Sequence, residues 1–448
     1  MSNQASNDRP AGGSRRKFFK LRASAVPCAA VAGGLSIARS AHAAGDDTIK
    51  IALIGCGGRG TGAANNALRT KGNVKLVAMA DVFEDQLAKS LKLLKREVPD
   101  QIDVPKERQF VGFDAYQKAI DAGPDLVLLT TPPGFRPIHF EAAVKAGKHV
   151  FMEKPVAVDA PGVRSVLAAA EQARQKKLAV GVGLERRHRA SYQEAIQRIH
   201  SGAIGDVVYL RVYWNNAGHG FVDRDPDESE MIFQLRNWWY FNWLGGDQIA
   251  EKHVHLMDVG NWVKAAHPIQ ANGMGGRQVR TDSKFGQSFD HYFVEFEYPD
   301  GSRMISQCRD IPNCWDSCSE HIVGTKGICE IGEAQEARIT GPHPWRYPVQ
   351  IGRSGPNPYQ VEHDRLLESI RSGNPIDESQ YGAESTMTSI LGRAAVHSGQ
   401  AVTWEKAFHS DLRLIPADQR WAWDAAPPVL PDENGNYPIA VPGVSQAV

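Results

Sequence analysis

The chain has no excess of charge of one sign. In 448 residues, 51 Lys and Arg stand against 51 Asp and Glu. Seven of the basic residues and one acidic residue fall in positions 1–43, which leaves 44 basic and 50 acidic residues elsewhere, a net of −6. A surface of that balance offers no basic stripe for a phosphate backbone, which excludes nucleic-acid binding. Long hydrophobic runs are missing too. Beyond the first forty residues no stretch approaches the roughly 20 apolar residues that span a bilayer, so no membrane span is predicted in the mature chain. Apolar residues make up 42% and mean hydropathy is −0.37, the values of a soluble globular protein. Cysteine is scarce: Cys56, Cys308, Cys314, Cys318 and Cys329 follow Ala43, with no C-x-x-C pair. That argues against zinc and leaves buried thiols, or one disulfide among Cys308, Cys314 and Cys318.

What is present begins at Ile49. An apolar run, Ile49 to Ile54, leads into Gly55-Cys56-Gly57-Gly58-Arg59-Gly60 and then a good helix start, Ala63 to Leu68. Strand, G-x-G-x-x-G and helix in that order form the dinucleotide-binding fingerprint. Gly55 allows the tight turn, Gly57 keeps side-chain bulk away from a pyrophosphate, and Gly60 lets helix and strand approach. The first helical amides then face the phosphates. Val74 to Ala80 reads as the next strand and Asp81 ends it, 21 residues after Gly60. An acid there accepts hydrogen bonds from the adenosine ribose. Val82-Phe83-Glu84-Asp85 supplies no Arg or Lys for a 2′-phosphate, so the predicted cofactor is NAD rather than NADP. The alternative is a glycine turn that only packs a helix on a strand.

Alternating strand and helix patterns continue to residue 183 and predict a doubly wound parallel sheet. The glycine loop, Asp81, Thr131-Pro132 and Glu153-Lys154-Pro155 all fall at the carboxyl ends of its strands, where such sheets bind ligands. From residue 184 the strands alternate in polarity instead. Pro299-Asp300-Gly301 and Gly324-Thr325-Lys326 read as hairpin turns. The predicted fold class is therefore α/β, an N-terminal Rossmann domain (47–183) followed by an α+β domain with a mostly antiparallel sheet (184–415). A Pro- and Gly-rich tail (416–448) reads as an extended arm or a mobile end. Residues 1–43 read as a twin-arginine signal peptide: Ser14-Arg15-Arg16-Lys17-Phe18-Phe19-Lys20, an Ala-rich stretch, and Ala41-His42-Ala43 as the cleavage site. That predicts a periplasmic protein; the alternative is a basic tail.

Three groups of residues carry candidate chemistry. Lys154 leaves a strand end beside the expected nicotinamide, where a lysine can orient a substrate hydroxyl and tune proton transfer; alone, a loop lysine is usually just solvated. In Gly245-Gly246 to Asp258, the residues Glu251, His255, Asp258 and Trp262 share one helical face. A carboxylate and an imidazole one turn apart suit a base and its orienting partner. Glu-x-His-x-His could hold a metal, but no distant third ligand is evident, so no metal is predicted. Finally, Tyr213-Trp214-Asn215-Asn216 and Arg236 to Trp243 are dense in rings and amides, which suit the C–H faces and hydroxyls of a sugar; core or interface packing is the alternative. Arg187, Trp214, Trp238 and His253 are the candidate substrate contacts.

Together these residues resemble the Gfo/Idh/MocA family, which includes glucose–fructose oxidoreductase and inositol dehydrogenase. The resemblance spans about residues 47–410. It rests on the glycine loop with Arg59, Thr131-Pro132, Ala146 to Val150 leading into Glu153-Lys154-Pro155, and the Gly-Gly helix ending in His255 and Asp258. It implies a large open sheet in the second domain that often forms an oligomer interface, hence a dimer or tetramer. It also implies pyridine-nucleotide hydride chemistry on a carbohydrate or cyclitol hydroxyl, with Lys154 and His255 catalytic and Glu251 orienting His255. By the same resemblance Arg59, Thr131, Pro132, Glu153 and Lys154 join the glycines and Asp81 at the cofactor. This sequence departs from the family's pattern in having Glu251 for Asp, His253 for a small residue, and Arg136 for a frequent His. Redox-assisted glycoside cleavage and non-catalytic sugar binding stay open as alternatives.

Overall fold

Two hydrophobic periods in the chain become two sheets. The computed structural model describes residues 47–332, 336–348 and 356–448. In the first half, short apolar runs form β1 (Ile49–Ile54), β2 (Val74–Asp81), β3 (Gln109–Val111), β4 (Leu126–Leu129), β5 (His149–Met152) and β6 (Val180–Val182). They pair in the order β3-β2-β1-β4-β5-β6, all parallel. All four residues of β4 are buried, as expected of a strand covered by helices on both faces. Five helices make the crossovers: α1 (Gly58–Leu68), α2 (Glu84–Glu97), α3 (Ala115–Asp121), α4 (Arg136–Lys145) and α5 (Ala160–Gln175). The start of α5 is fixed by Asp159, whose side chain accepts the Gly162 amide at 2.8 Å, with Pro161 in the first turn. Strand order reverses between β1 and β4, which opens a crevice at their carboxyl ends.

The second half alternates along β7 (Val207–Asn216), β8 (Gln270–Gly276), β9 (His291–Glu297), β10 (Arg303–Asp310), β11 (Ser317–Gly324), β12 (Ile328–Gly332), β13 (Ala337–Thr340), β14 (Trp345–Arg346) and β15 (Val402–Thr403). Their order is β14-β13-β12-β11-β7-β10-β9-β8-β15, antiparallel except where β7 meets β10. In β10, Met304, Ser306, Cys308 and Asp310 are buried while the residues between them are half-buried, so one face is covered and the other is open. Helices of this half are α6 (Ala190–His200), α7 (Glu230–Arg236), α8 (Asn242–Gly245), α9 (Gln248–Glu251), α10 (Val254–Lys264), α11 (Pro358–Ser372), α12 (Ser379–Ser398) and the short α13 (Trp404–Phe408). The largely buried α12 lies against β8, α10 and α5, and α11 returns to α1. Residues 48–448 consequently form one compact unit.

Two expectations change. The helix expected through Glu251, His255, Asp258 and Trp262 is interrupted: α9 ends at Glu251 and α10 begins at Val254. The turn widens there, with the His253 amide bonded to the Gln248 carbonyl five residues back. The 416–448 segment carries no helix or strand, but it is not a loose arm. Tyr437 is buried among Met231, Phe233 and Phe241, and Trp421 packs on Trp243. Among the described residues the five cysteines, Cys56, Cys308, Cys314, Cys318 and Cys329, form no disulfide. Among the described residues no helix is long and apolar enough to cross a membrane. The twin-arginine pattern lies outside the described residues.

Candidate active site

The glycine loop is shaped by the space around it. Gly55 has φ +96°, and a Cβ there would stand 2.6 Å from the Thr131 amide nitrogen. A Cβ on Gly60 would stand 2.0 Å from the Gly55 carbonyl oxygen. Around Gly57 and Gly58, by contrast, a Cβ would meet no protein atom within 4 Å. The loop is therefore tight on its protein side and open on its outer side, where α1 presents its first amides. Thr130 ties the turn to β4 by donating its hydroxyl to the Gly55 carbonyl at 2.6 Å. A cavity of about 490 Å³ lies outside the loop, lined by Gly55, Gly57, Gly58, Arg59, Gly60, Asp81, Thr131, Pro132 and Trp238, among others. Glycines that admit phosphates, a helix N-terminus and an acid at the end of β2 fit NAD.

Asp81 does two jobs in this geometry. Its carboxylate accepts the Cys56 amide at 2.5 Å and the Phe83 amide at 2.8 Å, which joins the loop to the end of β2. Burial raises its carboxyl above the ordinary value, against the pull of the Phe83 and Cys56 amides. Asp81→Ala should weaken NAD binding by about tenfold to a hundredfold, the worth of hydrogen bonds to a charged acceptor. A fluorescence titration measures this, and an unchanged dissociation constant would mean that another group holds the ribose.

The second part of the site gathers around Lys154. Its Nζ lies 2.9 Å from Glu251 Oε1 and also donates to the Glu251 backbone carbonyl. Both side chains are largely buried, at 14% and 7% exposure. Burial raises the Glu251 carboxyl and Lys154 opposes that rise. The imidazole of His255 lies parallel to the Trp214 ring, with centroids 5.8 Å apart, and its Nδ1 has no hydrogen-bond partner. Burial, reinforced by the charges of Lys154 and Arg186, keeps this imidazole neutral. The expected Glu251–His255 pairing is not formed: Glu251 Oε1 serves Lys154, and Oε2 and His255 Nδ1 are each unpartnered. Glu153, the residue before Lys154, lies 3.1 Å from Arg59 Nε, which links this centre to the cavity lining.

Two other expected substrate contacts are engaged elsewhere. His253 is fully buried and bonds Ser306 at 2.8 Å, with its basicity lowered to about 3 mainly by burial. The widened turn swings it toward β10 instead of the crevice. Arg187 is bound to Asp258 through Nε at 2.8 Å and Nη2 at 2.8 Å, and its guanidinium lies 3.8 Å from the centroid of Tyr381. It braces α10. Sequence reasoning missed the aromatic wall of the cavity: Phe83, Phe113, Tyr116 and Phe135 line it, as do Arg236 and Trp239 from the second half. It also missed Lys252, buried and paired with Asp310, and His139, which meets Thr131 Oγ1 at 3.2 Å. Only the ring density at 236–243 gave a signal. Among the described residues no group of three or more His, Cys, Asp or Glu side chains is placed to hold a metal ion.

A parallel sheet of this order, with the glycine loop at its switch point, defines a dinucleotide-binding protein, and the lysine–glutamate–histidine centre beside it suits an oxidoreductase. Residues 49–183 match the model of the oxidoreductase family with an NAD-binding Rossmann fold. An inositol 2-dehydrogenase of Serratia proteamaculans is 31% identical over 309 residues, which cover 65% of this chain and 76% of that protein. One from Ralstonia nicotianae is 27% identical over 364 residues, 79% of this chain and 93% of the relative. Among solved structures, aldose-aldose oxidoreductase from Caulobacter crescentus complexed with glycerol superposes with TM-score 0.62 at 21% identity, covering 80% of this chain and 99% of that one. Levoglucosan dehydrogenase in complex with NADH and levoglucosan gives 0.63 at 15% identity, with the same coverage. The chain belongs to the Gfo/Idh/MocA family. It is an oxidoreductase and its cofactor is NAD.

Proposed function

We propose that this enzyme oxidises a secondary hydroxyl of a sugar or cyclitol, with Lys154 and His255 handling the hydroxyl and its proton. The observation that carries this reading is the buried Lys154–Glu251 pair beside a neutral His255, one residue from the Glu153–Arg59 link to the nucleotide cavity. Inositol 2-dehydrogenases among the relatives support the substrate class. NAD, when bound, supplies the hydride acceptor. Lys154, held in place by Glu251, orients the substrate oxygen and stabilises the negative charge that develops on it. His255 has a free lone pair and accepts the hydroxyl proton. Burial lowers the basicity of this imidazole, so it takes the proton as the hydride departs and the hydroxyl becomes acidic. Trp214, parallel to His255, offers a flat apolar face to the C–H side of a ring.

The test is to add a panel of cyclitols, aldoses and glycosides to NAD-loaded protein and follow reduced-nicotinamide absorbance. At least one polyol should reduce the nucleotide; a stably loaded protein that no member of a broad panel reduces would sink the reading. Twin-arginine export to the periplasm, supported by Arg15-Arg16 and Ala41-His42-Ala43, belongs to the same proposal, as does assembly into a dimer or tetramer through the open sheet face. Cell fractionation and light scattering decide those two points.

A further inference from the structure

The turn that follows β7 is held by side chains distant in sequence. Asn216 ends the strand, and its Oδ1 accepts the Gly218 amide at 2.9 Å, which starts the turn. Gly218 has φ +82°, and a Cβ there would stand 2.5 Å from Arg280 Nη2 and 2.9 Å from Asp310 Cβ. Arg280 donates to the Ala217 carbonyl at 2.6 Å, to the Asp310 carbonyl at 2.7 Å and to the Tyr240 hydroxyl at 2.9 Å. The Tyr240 hydroxyl in turn donates to the His219 carbonyl at 2.8 Å. Asn237 fixes the far end by bonding the amide and the carbonyl of Val222, at 2.9 and 3.0 Å. The backbone on either side of His219 is therefore pinned, although it belongs to no helix or strand.

The His219 ring stacks on Trp239 with centroids 3.7 Å apart, and Trp239 stacks on Trp238 at 4.4 Å. Both tryptophans line the cavity outside the glycine loop, so His219 extends a column of rings that begins there. The same loop also meets the Lys154–Glu251 centre. Asn216 Oδ1 accepts Lys252 Nζ at 3.3 Å, and Lys252 directly follows Glu251. Surrounding protein, reinforced by the charges of Lys252, Lys154 and Arg280, lowers the basicity of the His219 imidazole, so the ring is uncharged at neutral pH. The residue is nonetheless exposed to solvent, as a group lining an open cleft is. Among the described residues its hydrogen bonds are made by its backbone carbonyl, and neither ring nitrogen has a protein partner.

The cations nearby are already committed: Lys154 to Glu251, Lys252 to Asp310, and Arg280 to carbonyl oxygens. A flat apolar face such as that of Trp214 holds sugar rings of many configurations. Discrimination between hydroxyl positions needs a directional polar group instead. A neutral imidazole supplies one donor and one acceptor in the plane of its ring, and stacking on Trp239 sets that plane. We propose that His219 is a specificity-determining contact of the substrate site, bonding a hydroxyl of the sugar or cyclitol other than the one oxidised. The assignment rests on the function proposed above and deepens it. Lys154 and His255 handle the reacting hydroxyl, and His219 selects the substrate by the position of a second one.

The test uses full-length protein with NAD and the panel of cyclitols, aldoses and glycosides, each beside its monodeoxy analogues. In wild type, at least one analogue that keeps the oxidised hydroxyl should be turned over at least about tenfold less efficiently than its parent, as expected when a buried hydrogen bond loses one partner. His219→Phe keeps a flat ring against Trp239 and removes both nitrogens. It should lower kcat/KM for the parent by the same factor and should no longer distinguish the parent from that analogue, while NAD affinity stays unchanged. Circular dichroism checks its folding, and His219→Ala takes its place should the Phe variant unfold. A variant with wild-type efficiency and the wild-type ranking of analogues would reduce His219 to packing on Trp239 and overturn the assignment. So would a variant whose loss is equal on the parent and on every analogue. Wild type that oxidises no member of the panel would instead refute the proposed function, and this assignment would fall with it.

Discussion

Lys154→Ala should lower sugar oxidation by about a thousandfold, within the range for loss of one group acting on a proton in flight. NAD binding should persist, because the loop glycines and Asp81 are untouched. The same change should also cost stability, and the reason is Glu251. In the wild type, Lys154 offsets the burial of that carboxyl. An ionised buried carboxylate left without its partner costs about 3–5 kcal/mol, and the group reduces the cost by taking up a proton. Its folded-state pKa then lies further above the unfolded value, which is about 4.3 for glutamate. For a group raised on folding, the folded chain holds a proton that the unfolded chain has released. Stability in the variant is thus fullest below that unfolded value and declines as pH rises through the folded one. Adding Glu251→Gln removes the charge. The double variant should regain melting temperature at neutral pH and stay inactive. Near-normal turnover in Lys154→Ala would remove Lys154 from the chemistry. A double variant no more stable than the single one would show that the pair is not a compensated buried ion pair.

That argument depends on a partnership the sequence does not announce. Glu251 and His255 sit four residues apart, and a helical wheel puts them on one face. The wheel fixes direction but not the partner. Lys154 arrives from a strand end 97 residues earlier and takes the carboxylate first. His253 and Lys252 are likewise placed by partners distant in sequence. Ser306 and Asp310 of β10 draw them inward, and the turn between α9 and α10 widens to let them in. Arg187, expected as a substrate contact, is bound to Asp258 across the fold. Short buried runs and the glycine loop were legible because their signals are local. β4 is apolar at every position, and its neighbours are punctuated by glycine and proline.

The aromatic wall of the cavity marks the other limit. Phe83, Phe113 and Phe135 each look like ordinary core residues in sequence, and Trp421 and Trp423 fall in a segment with no hydrophobic period. They meet only because the chain crosses back from the second sheet over the first. Ring density told where a pocket could be lined, and long-range packing decided which pocket. Trp238 and Trp239, in the ring-dense stretch expected near a sugar, line the cavity outside the glycine loop.

Within the glycine loop the structure separates two effects that the motif merges. Gly60→Ala places a methyl 2.0 Å from the Gly55 carbonyl oxygen and 2.5 Å from Thr130 Oγ1. Neither can yield easily, because Thr130 Oγ1 is bonded to that same carbonyl and the loop lies between β1 and β4. This variant should lose about 1–3 kcal/mol or more of stability and bind NAD poorly, since the loop must shift off the β4 end. Gly57→Ala should behave oppositely. Its φ of −67° and ψ of −176° suit alanine, and the new methyl meets no protein atom within 4 Å. Stability should change by less than about 0.5 kcal/mol. The methyl would instead occupy the approach to the first amides of α1, where the pyrophosphate must come close. NAD affinity should fall about a hundredfold, equivalent to about 2.8 kcal/mol. Thermal melts paired with nucleotide titrations of both variants read the two axes separately. If Gly57→Ala binds NAD as tightly as wild type, the phosphates do not lie over that glycine, and the cofactor's path through the cavity must be redrawn. If Gly60→Ala melts with the wild type, the loop has slack that the close approach of Gly60 to Gly55 denies.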